Sequence, residues 1–385
     1  MGAMRIERVE QTARGEWVTR PRGTAWHRFD VQLTFYALAL AIVGLLMAYS
    51  NSDGAPLAPG STFTRGLMWL AIAIAVYSVA ASLDPRWLRS FGWLIYLVNI
   101  GLLVLTLAVG SGVGGVSRWV SIGGLQFQFS EVAKILMIGV LSGYLAGRGP
   151  AVSSLPTAIG AALLIGPPLA LVLVQPDLGT SLVFGAILLG TLFMVGTRLR
   201  WITLGIGAAL AALPIFWSIL QDYQRRRLIA FLDPSADPLG SGFQIIQSQI
   251  AVGSGGLFGT GLGNDTSSAA ELLPVQTTDF AAAVLFQELG FIGGVVLFAL
   301  FAALIWRVLL VGWRSEDVFG VAFSAGLASM LLFQLIVNVG MVLGVMPVTG
   351  IPLPFVTHGG ASLISIALGL GMLQSINMRR ARPDW

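Results

Sequence analysis

Apolar residues recur along this chain in long stretches with few polar interruptions, instead of the alternating patterns typical of soluble helices and strands. Ten such stretches approach the roughly 20 residues that an α-helix needs to cross the hydrocarbon core of a bilayer. The pattern therefore predicts an all-α polytopic membrane protein with about ten transmembrane helices. The stretches are 31–50, 66–83, 91–110, 129–146, 154–174, 178–196, 201–220, 281–305, 318–341 and 358–378.

The distribution of basic residues predicts how these helices are oriented. With the N-terminus in the cytoplasm, 16 of the 22 Lys and Arg residues fall on the cytoplasmic side and five on the opposite side. Cytoplasmic loops are enriched in Lys and Arg, so the distribution favours cytoplasmic N- and C-termini. The chain then divides into a cytoplasmic segment 1–30, a transmembrane domain 31–378 that includes an extracellular loop 221–280, and a cytoplasmic tail 379–385.

Composition agrees with this class of protein. Hydrophobic residues make up 56% of the 385 residues and charged residues 10%, against about 25% charged in a typical soluble domain. The values exclude an ordinary soluble enzyme, and they exclude a disordered chain. The chain has no Cys and two His, which rules out a Cys nucleophile and argues against a His-based zinc or haem site.

Only three Asp, Glu, Lys or Arg residues fall inside the predicted spans: Glu131, Lys134 and Glu288. A charge at the centre of a bilayer costs about 2.5–3.5 kcal/mol on insertion scales, so each needs a compensating interaction. Glu131 and Lys134 are three residues apart and can pair on one helix face. The pair would either lock two helices together or line a polar cavity. Glu288 is either bonded to a neighbouring helix or protonated, or it has a functional role.

The 60-residue loop between the seventh and eighth stretches carries candidate chemistry. Arg225, Arg226 and Arg227 lie on the predicted extracellular side, where they break the charge distribution and need an anionic partner such as a phosphate, a diphosphate or lipid headgroups. A glycine run at 253–263 either exposes backbone amides to phosphate oxygens or simply forms turns. Asp279 directly precedes an apolar helix, so it is either a helix cap or a general base at the mouth of a membrane cavity.

Seven short runs are the most specific signals in the sequence, and together they closely resemble the SEDS family (shape, elongation, division and sporulation) over about residues 30–380. The runs are 117–119 (SRW), 130–134 (SEVAK), 175–180 (QPDLGT), 231–234 (FLDP), 253–259 (GSGGLFG), 278–280 (TDF) and 338–355 (NVGMVLGVMPVTGIPLPF). Residues 245–248 (IIQS) and 374–377 (QSIN) are closer to the elongation branch of the family than to its division branch.

The resemblance implies an inverting peptidoglycan glycosyltransferase that polymerises lipid II into β-1,4 glycan strands outside the plasma membrane. Asp279 matches the family's catalytic Asp and would act as the general base on the sugar hydroxyl. Positively charged groups would hold the diphosphate leaving group, and other residues would shape or tune the cavity. The candidates for the diphosphate are Arg65, Arg118, Arg225, Arg226 and Arg227; those for the cavity are Trp119, Glu131, Lys134 and Glu288.

The resemblance also implies the partners: lipid II as substrate, a class B penicillin-binding protein, plasma membrane lipids and no nucleic acid. A divalent cation, Mg²⁺ or Mn²⁺, is compatible with diphosphate chemistry, but no cluster of metal ligands in the sequence specifies one. The chain departs from the family pattern at 281–283 (AAA), 287–288 (QE) and 357–360 (THGG), and none of these departures changes Asp279.

Three alternatives remain open at this point. The chain could belong to the division branch of the same family. It could be a lipid flippase, for which ten spans and intramembrane charge are equally suitable but an extracellular acid is not needed. It could also be a scaffold that only holds a penicillin-binding protein. Polymer formation by the purified protein separates the enzyme from the other two classes.

Overall fold

The computed structural model describes residues 8–11, 17–20, 26–52, 55–110, 118–122, 125–237, 240–263, 279–357 and 359–379. Helices dominate these residues, which confirms the all-α prediction. The strands form two short antiparallel hairpins. They are β1 (Arg8–Gln11) with β2 (Trp17–Arg20), and β3 (Val120–Ile122) with β4 (Leu125–Phe127).

Fourteen α-helices follow one another in the described part of the chain. The first seven are α1 (Val31–Ser50), α2 (Thr62–Ser82), α3 (Arg86–Ser90), α4 (Gly92–Val109), α5 (Phe129–Ala146), α6 (Leu155–Val174) and α7 (Leu178–Met194). The other seven are α8 (Leu199–Ala211), α9 (Leu213–Ile219), α10 (Asp222–Leu232), α11 (Ser241–Ser254), α12 (Ala281–Trp313), α13 (Val318–Val342) and α14 (Gly360–Arg379).

Eight of the described helices are long and apolar enough to cross a membrane: α1, α2, α4, α5, α6, α12, α13 and α14. Two shorter apolar helices, α7 and α8, occupy the remaining predicted stretches. The stretch predicted at 201–220 is divided, because Pro214 lies in the first turn of α9, where it is tolerated, and would break a continuous helix. The chain is therefore a multi-pass membrane protein.

Polar residues fix where several of these helices begin. The side chains of Asp30, Ser61, Asp177 and Asp317 each accept a hydrogen bond from a backbone N–H in the first turn of α1, α2, α7 and α13. Such bonds satisfy N–H groups that have no partner within the helix. The side chains that carry them therefore mark the helix starts within an otherwise apolar sequence.

The core of the bundle is formed by α5, α13 and α14. Helix α13 packs against α5, α7 and α12, while α14 packs against α2 and α5. Within the membrane-spanning part of α14, 83% of the residues are buried in the protein, compared with 11% in α2. Helices α2 and α4 therefore present most of their apolar surface outward, as expected for helices in contact with lipid.

The segment 221–280 is more ordered than a loop of its length suggests. It contains α10, a short 3₁₀-helix at Pro234–Ala236 and α11, which packs against α10 and α12. Residues 264–278, which include Thr278 of the TDF run, lie outside the described residues. The three consecutive arginines, 225–227, lie on α10, and the helix determines the direction in which each one points.

Candidate active site

Asp279 lies at the end of the 221–280 segment, one residue before the N-cap of α12. The N-cap residue of α12 is Phe280, which is buried. Asn338, buried on α13, donates one hydrogen bond to the backbone carbonyl of Asp279 at 3.1 Å and another to the carbonyl of Ile351 at 2.7 Å. Asn338 therefore fixes the backbone of Asp279 against the segment that follows α13.

The side chains of Asp279 and Arg227 both approach Gly350. Gly350 has a φ of +72°, a backbone conformation that glycine adopts without strain. A Cβ atom built on Gly350 would lie 3.3 Å from Asp279 Oδ2 and 3.8 Å from a terminal nitrogen of Arg227. The carboxylate and the guanidinium therefore both lie against the backbone of Gly350, where a side chain would crowd the carboxylate.

A second arginine, Arg118, lies at the hydroxyl end of Tyr223. Its guanidinium donates to the backbone carbonyls of Gln175 (3.3 Å) and Pro176 and to the Tyr223 hydroxyl (3.1 Å). The Tyr223 hydroxyl also donates to the carbonyl of Pro176. The guanidinium carbon of Arg227 lies 5.6 Å from the centre of the Tyr223 ring, within cation–π range. Tyr223 therefore positions both arginines.

Arg118, Tyr223 and Arg227 line a cavity of about 70 Å³. Its lining is mainly apolar and includes the two guanidinium groups, as expected for a site that binds an amphiphile. Asp279 is not among the lining residues; it lies against Gly350, the residue that follows the lining residue Thr349. The lining residues are Arg118, Pro176, Leu178, Leu182, Tyr223, Gln224, Arg227, Leu228, Pro347, Val348 and Thr349.

Arg227 is partly buried near a second guanidinium, that of Arg118, and near the carboxylates of Asp279 and Asp177. Burial and the nearby charge of Arg118 lower the pKa of the Arg227 guanidinium, while the carboxylates of Asp279 and Asp177 partly offset this effect. Two guanidinium groups that share a partly buried site repel each other unless an anion lies between them. The site therefore favours a negatively charged ligand.

The structure places the other arginine candidates away from this cavity. Successive residues of a helix point about 100° apart, so only one of three adjacent arginines can face one wall. Arg225 turns back to the carbonyls of Trp217 (3.1 Å) and Ser218 (2.9 Å). Arg226 is exposed on α10, and Arg65 is exposed in the first turns of α2. Arg118 and Arg227 are the two predicted diphosphate ligands that the fold brings together.

Glu131 and Lys134 form the predicted ion pair within α5. Lys134 Nζ donates to Glu131 Oε1 at 2.6 Å, and the side chains are 1% and 3% exposed. Neither residue is among the described residues that line the cavity, and neither is Trp119, which is half-buried next to Arg118. A tuning effect of this pair on Asp279, or a contact of Trp119 with a sugar, stays a prediction.

Glu288 is bonded to a neighbouring helix. The hydroxyl of Ser50, the last residue of α1, donates to Glu288 Oε1 and accepts a hydrogen bond from the backbone N–H of Gly263 at 2.7 Å. The carboxylate therefore connects α1, α12 and the glycine run. Nine residues of helix separate it from Asp279, which corresponds to about 13 Å.

The prediction that the glycine run offers open amides to a phosphate is wrong for the amides whose bonds are described. Gly259 N–H donates to the carbonyl of Gly255, and Gly261 N–H donates to the carbonyl of Glu288. Gly263 N–H donates to Ser50. Since these donors are already used within the protein, the run has a structural role at this place.

Sequence reasoning missed four residues that build the site: Tyr223, Asn338, Gly350 and Asp177. Tyr223 is four residues before Arg227 on the same helix, so the i, i+4 spacing could have identified it. The other three lie within the runs 175–180 and 338–355, but the sequence alone does not show that these runs meet. Among the described residues, no cluster of three or more carboxylate or His side chains could hold a metal ion; a divalent cation stays a prediction.

The fold and the site together define a multi-pass membrane protein with an acid–arginine cavity at one end of its helical bundle. The model of the FtsW/RodA/SpoVE family, described as cell cycle proteins, matches residues 31–382. The chain belongs to this family, which confirms the resemblance found in the sequence.

Relatives and solved structures agree with this assignment. The chain is 38% identical to the peptidoglycan glycosyltransferase MrdB of Escherichia coli K12, over 93% of this chain and 96% of that one. It is 36% identical to a probable peptidoglycan glycosyltransferase FtsW of Coxiella burnetii, over 90% and 96%. A chain from a solved peptidoglycan synthase complex superposes with a TM-score of 0.76 at 34% identity, over 91% and 98%. RodA of Thermus thermophilus superposes with a TM-score of 0.68 at 28% identity, over 93% and 99%.

Proposed function

We propose that this protein is a RodA-like peptidoglycan glycosyltransferase that polymerises lipid II into β-1,4 glycan strands during cell elongation. Membership of the family and 38% identity to MrdB over nearly the whole of both chains support this proposal. The observation that carries it is that the Asp279 carboxylate and the Arg227 guanidinium both lie against Gly350, with Arg118 close by.

Asp279 acts as the general base in this proposal. The 4-hydroxyl of one sugar attacks the anomeric carbon of another, and its proton passes to the Asp279 carboxylate as the new glycosidic bond forms. An alcohol is a weak nucleophile, so a positioned base contributes about 10²–10⁴-fold to such a step. Asn338 holds the Asp279 backbone, and the lack of a side chain at Gly350 keeps the carboxylate from being crowded on that side.

Arg118 and Arg227 hold the leaving group. The bond from the anomeric carbon to the diphosphate breaks as the glycosidic bond forms, and negative charge builds up on the departing diphosphate. Guanidinium groups bind phosphate oxygens through charge-assisted hydrogen bonds. Because the diphosphate departs as a stabilised anion, it does not need a second carboxyl to protonate it, in contrast to the paired carboxylates of glycosidases. One acid and two arginines are sufficient for this reaction.

The apolar wall of the cavity suits the lipid part of the substrate. Leu178, Leu182 and Leu228 lie on the same cavity as the two arginines. A lipid-linked diphosphate has a charged group directly beside an apolar chain, so a site with both kinds of wall matches it. The substrate would lie with its diphosphate at the arginines and its sugar toward Gly350 and Asp279.

Orientation and partners complete the proposal. The basic residues favour cytoplasmic termini in the bacterial plasma membrane, with Asp279 on the outer side. A class B penicillin-binding protein would crosslink the strands that this chain makes. The solved peptidoglycan synthase complex, which coordinates polymerization and crosslinking, supports a partnership of this kind.

The decisive experiment supplies purified chain with lipid II in detergent, with and without a class B penicillin-binding protein. Glycan polymer that forms with the wild-type chain supports the enzyme, since no membrane is present across which a lipid could be moved. Lipid II flipping in vesicles without polymer in detergent would instead indicate a flippase. Failure of both activities, with retained binding of the penicillin-binding protein, would indicate a scaffold.

The division-branch alternative concerns the partner and not the chemistry, since the FtsW relative has a similar identity. Co-purification with the elongation-specific penicillin-binding protein would support the RodA-like assignment. Co-purification with only the division-specific protein would indicate an FtsW-like role.

A further inference from the structure

Contacts at the two ends of α1 mark the depth of α12 in the membrane. Asp30, the cap of α1, accepts a hydrogen bond from Arg307, and Ser50, the last residue of α1, donates to Glu288. The 20 residues of α1 extend over about 30 Å, which equals the thickness of the hydrocarbon core. Glu288 and Arg307 therefore mark the two boundaries of this core along α12, and residues 281–287 lie outside it on the side of Asp279.

Helix α12 is interrupted immediately below the first boundary. Gly290 has non-helical dihedral angles, with φ of 63° and ψ of −162°. An interruption inside a bilayer leaves backbone groups without helical partners, and each unsatisfied group costs several kcal/mol in hydrocarbon. Other parts of the protein must therefore supply the missing hydrogen bonds.

The missing bonds come from residues 255–263, which we call the glycine turn. The N–H groups of Thr260 and Gly261 donate to the carbonyls of Gln287 (3.0 Å) and Glu288 (3.1 Å). In the other direction, Phe291 and Ile292 donate to carbonyls of the turn, those of Gly256 (2.9 Å) and Leu257 (3.1 Å). The turn therefore completes the interrupted helix from the side.

Glycine is required on both sides of this contact. A Cβ atom on Gly255 would overlap the carbonyl of Phe286, and one on Gly259 would overlap the carbonyl of Glu288. A Cβ atom on Gly290 would overlap the backbone of Gly259 and Leu257. The two backbones are thus in direct contact, so the depth of the glycine turn follows from that of residues 286–292.

The tip of the glycine turn is apolar and exposed. Leu257 is 63% exposed and Phe258 is 79% exposed, and residues 253–263 contain no ionisable side chain. On the adjacent part of α12, Phe291 is 65% exposed, and Ile292 and Val295 are also exposed. The two groups form one continuous apolar surface that begins at the level of the Glu288 boundary and continues into the membrane-spanning part of α12.

We propose that the glycine turn is a re-entrant membrane segment, with Leu257 and Phe258 inserted among the lipid acyl chains of the leaflet on the Asp279 side. Non-helical backbone occurs at membrane depth only where its polar groups are satisfied by protein, and the bonds to α12 meet this condition. Acyl chains are the occupant because the surface continues that of α12, which faces the same hydrocarbon. Leu257 and Phe258 have large uncharged side chains without polar groups, so contact with acyl chains suits them better than contact with water.

The absence of cysteine from the chain makes a direct test of depth possible. Single variants Phe258→Cys and Leu257→Cys are labelled with a nitroxide in phosphatidylcholine–phosphatidylglycerol vesicles. Collisions with oxygen, which concentrates in hydrocarbon, are compared with collisions with a water-soluble nickel chelate. Val295→Cys on α12 gives the membrane reference, and Ser235→Cys, exposed on the 3₁₀-helix after α10, gives the aqueous reference.

We expect the oxygen-to-nickel collision ratios of both turn variants to lie near that of Val295→Cys and several-fold above that of Ser235→Cys. Ratios near that of Ser235→Cys would show that the tip is in water and would overturn the proposal. Low collision with both reagents would show that protein covers the tip, which would also overturn it. Each labelled variant is first required to elute as a single monodisperse species, and two adjacent positions guard against a local effect of one label.

Discussion

Charged side chains are buried or half-buried in two regions of this protein, and the two regions are organised differently. On α5, Lys134 and Glu131 pair at 2.6 Å with both side chains almost fully buried. At the cavity, Arg118 and Arg227 lie together with two nearby carboxylates, those of Asp279 and Asp177, and the described partners of Arg118 are neutral carbonyl and hydroxyl groups. The first region is balanced by a direct ion pair between its own side chains, while the arginines of the second region line a cavity.

The difference indicates which region is built to bind a ligand. A buried charge must be paired or hydrogen-bonded, and the α5 pair fulfils this requirement without any further molecule. A guanidinium group held by neutral acceptors, as that of Arg118 is, keeps most of its attraction for an anion. Intramembrane charge alone would have pointed to α5, but the cavity that the two arginines line points to the second region. The predictions below test this distinction.

The largest effect is expected at Asp279. Asp279→Asn removes the base and preserves the shape of the side chain, so we expect polymerisation of lipid II to fall by about 10²–10⁴-fold, the contribution of a positioned base. Expression, monodispersity and binding of the penicillin-binding protein should be near normal. The measurement is the amount of glycan polymer formed by purified protein in reconstituted membranes.

The matched control is Asp222→Asn, which removes an exposed carboxylate of α10 whose only described ion pair, with Arg225, is loose at 3.8 Å. This variant should polymerise like the wild type. Full activity of Asp279→Asn would remove Asp279 as the base, and with it the role that we propose for the cavity.

Lys134 tests the balanced region. Lys134→Ala leaves the Glu131 carboxylate buried without its partner, a change that typically costs about 3–5 kcal/mol of stability. We expect both thermal stability and polymerisation to fall more than in Arg226→Ala, which changes an exposed arginine. Stability is followed by the loss of monodisperse protein on heating, and activity is measured on the folded fraction.

A double variant separates the two explanations for this pair. Glu131→Gln with Lys134→Met removes both charges and leaves no unpaired one. Recovery of both stability and activity would show that the pair only holds the structure. Recovery of stability without activity would assign the pair a role in the reaction, and equal losses in Lys134→Ala and Arg226→Ala would contradict our expectation.

Arg227 tests the cavity region, and the adjacent residue Arg226 provides a close control. Arg227→Gln removes a charged hydrogen-bond donor from the diphosphate, which corresponds to about 1.5–3 kcal/mol or roughly ten- to a hundredfold in rate. Arg226→Gln changes the adjacent, exposed residue of the same helix and should have little effect. Initial rates at several lipid II concentrations give the measurement, and similar losses in the two variants would argue against diphosphate binding at Arg227.

Local pattern predicts this fold well because each membrane helix is specified by its own apolar stretch. The ten stretches, the pairing within α5 and the three consecutive arginines of the 221–280 segment follow from residues close together in sequence. The extent of α12 does not, since an apolar pattern fails to show that Ala281–Gln287 are buried by protein. The division of 201–220 into two helices likewise depends on Pro214.

The site was only partly predictable because it is built from segments far apart in sequence. Asp279 and the arginines were named from their residue types and their family motif, but five arginines were equal candidates. The choice of Arg118 and Arg227 depends on the direction of α10 and on contacts with Pro176 and Gly350. The role of the glycine run stayed open in the sequence, because glycines that allow close backbone packing and glycines that expose amides have the same sequence pattern.

The smallest effect is expected at Tyr223, which positions the arginines without carrying charge. Tyr223→Phe keeps the ring under Arg227 and removes the hydroxyl that bonds Arg118 and the Pro176 carbonyl. A neutral hydrogen bond contributes about 0.5–1.5 kcal/mol, so we expect a loss of polymerisation of no more than about tenfold. Tyr49→Phe, at the end of α1 with its ring edge-on against Phe63, is the control and should polymerise like the wild type. If Tyr223→Phe lost as much activity as Arg227→Gln, the hydroxyl would have to contact the substrate itself, and the charge of the two arginines alone would no longer explain how the cavity binds its ligand.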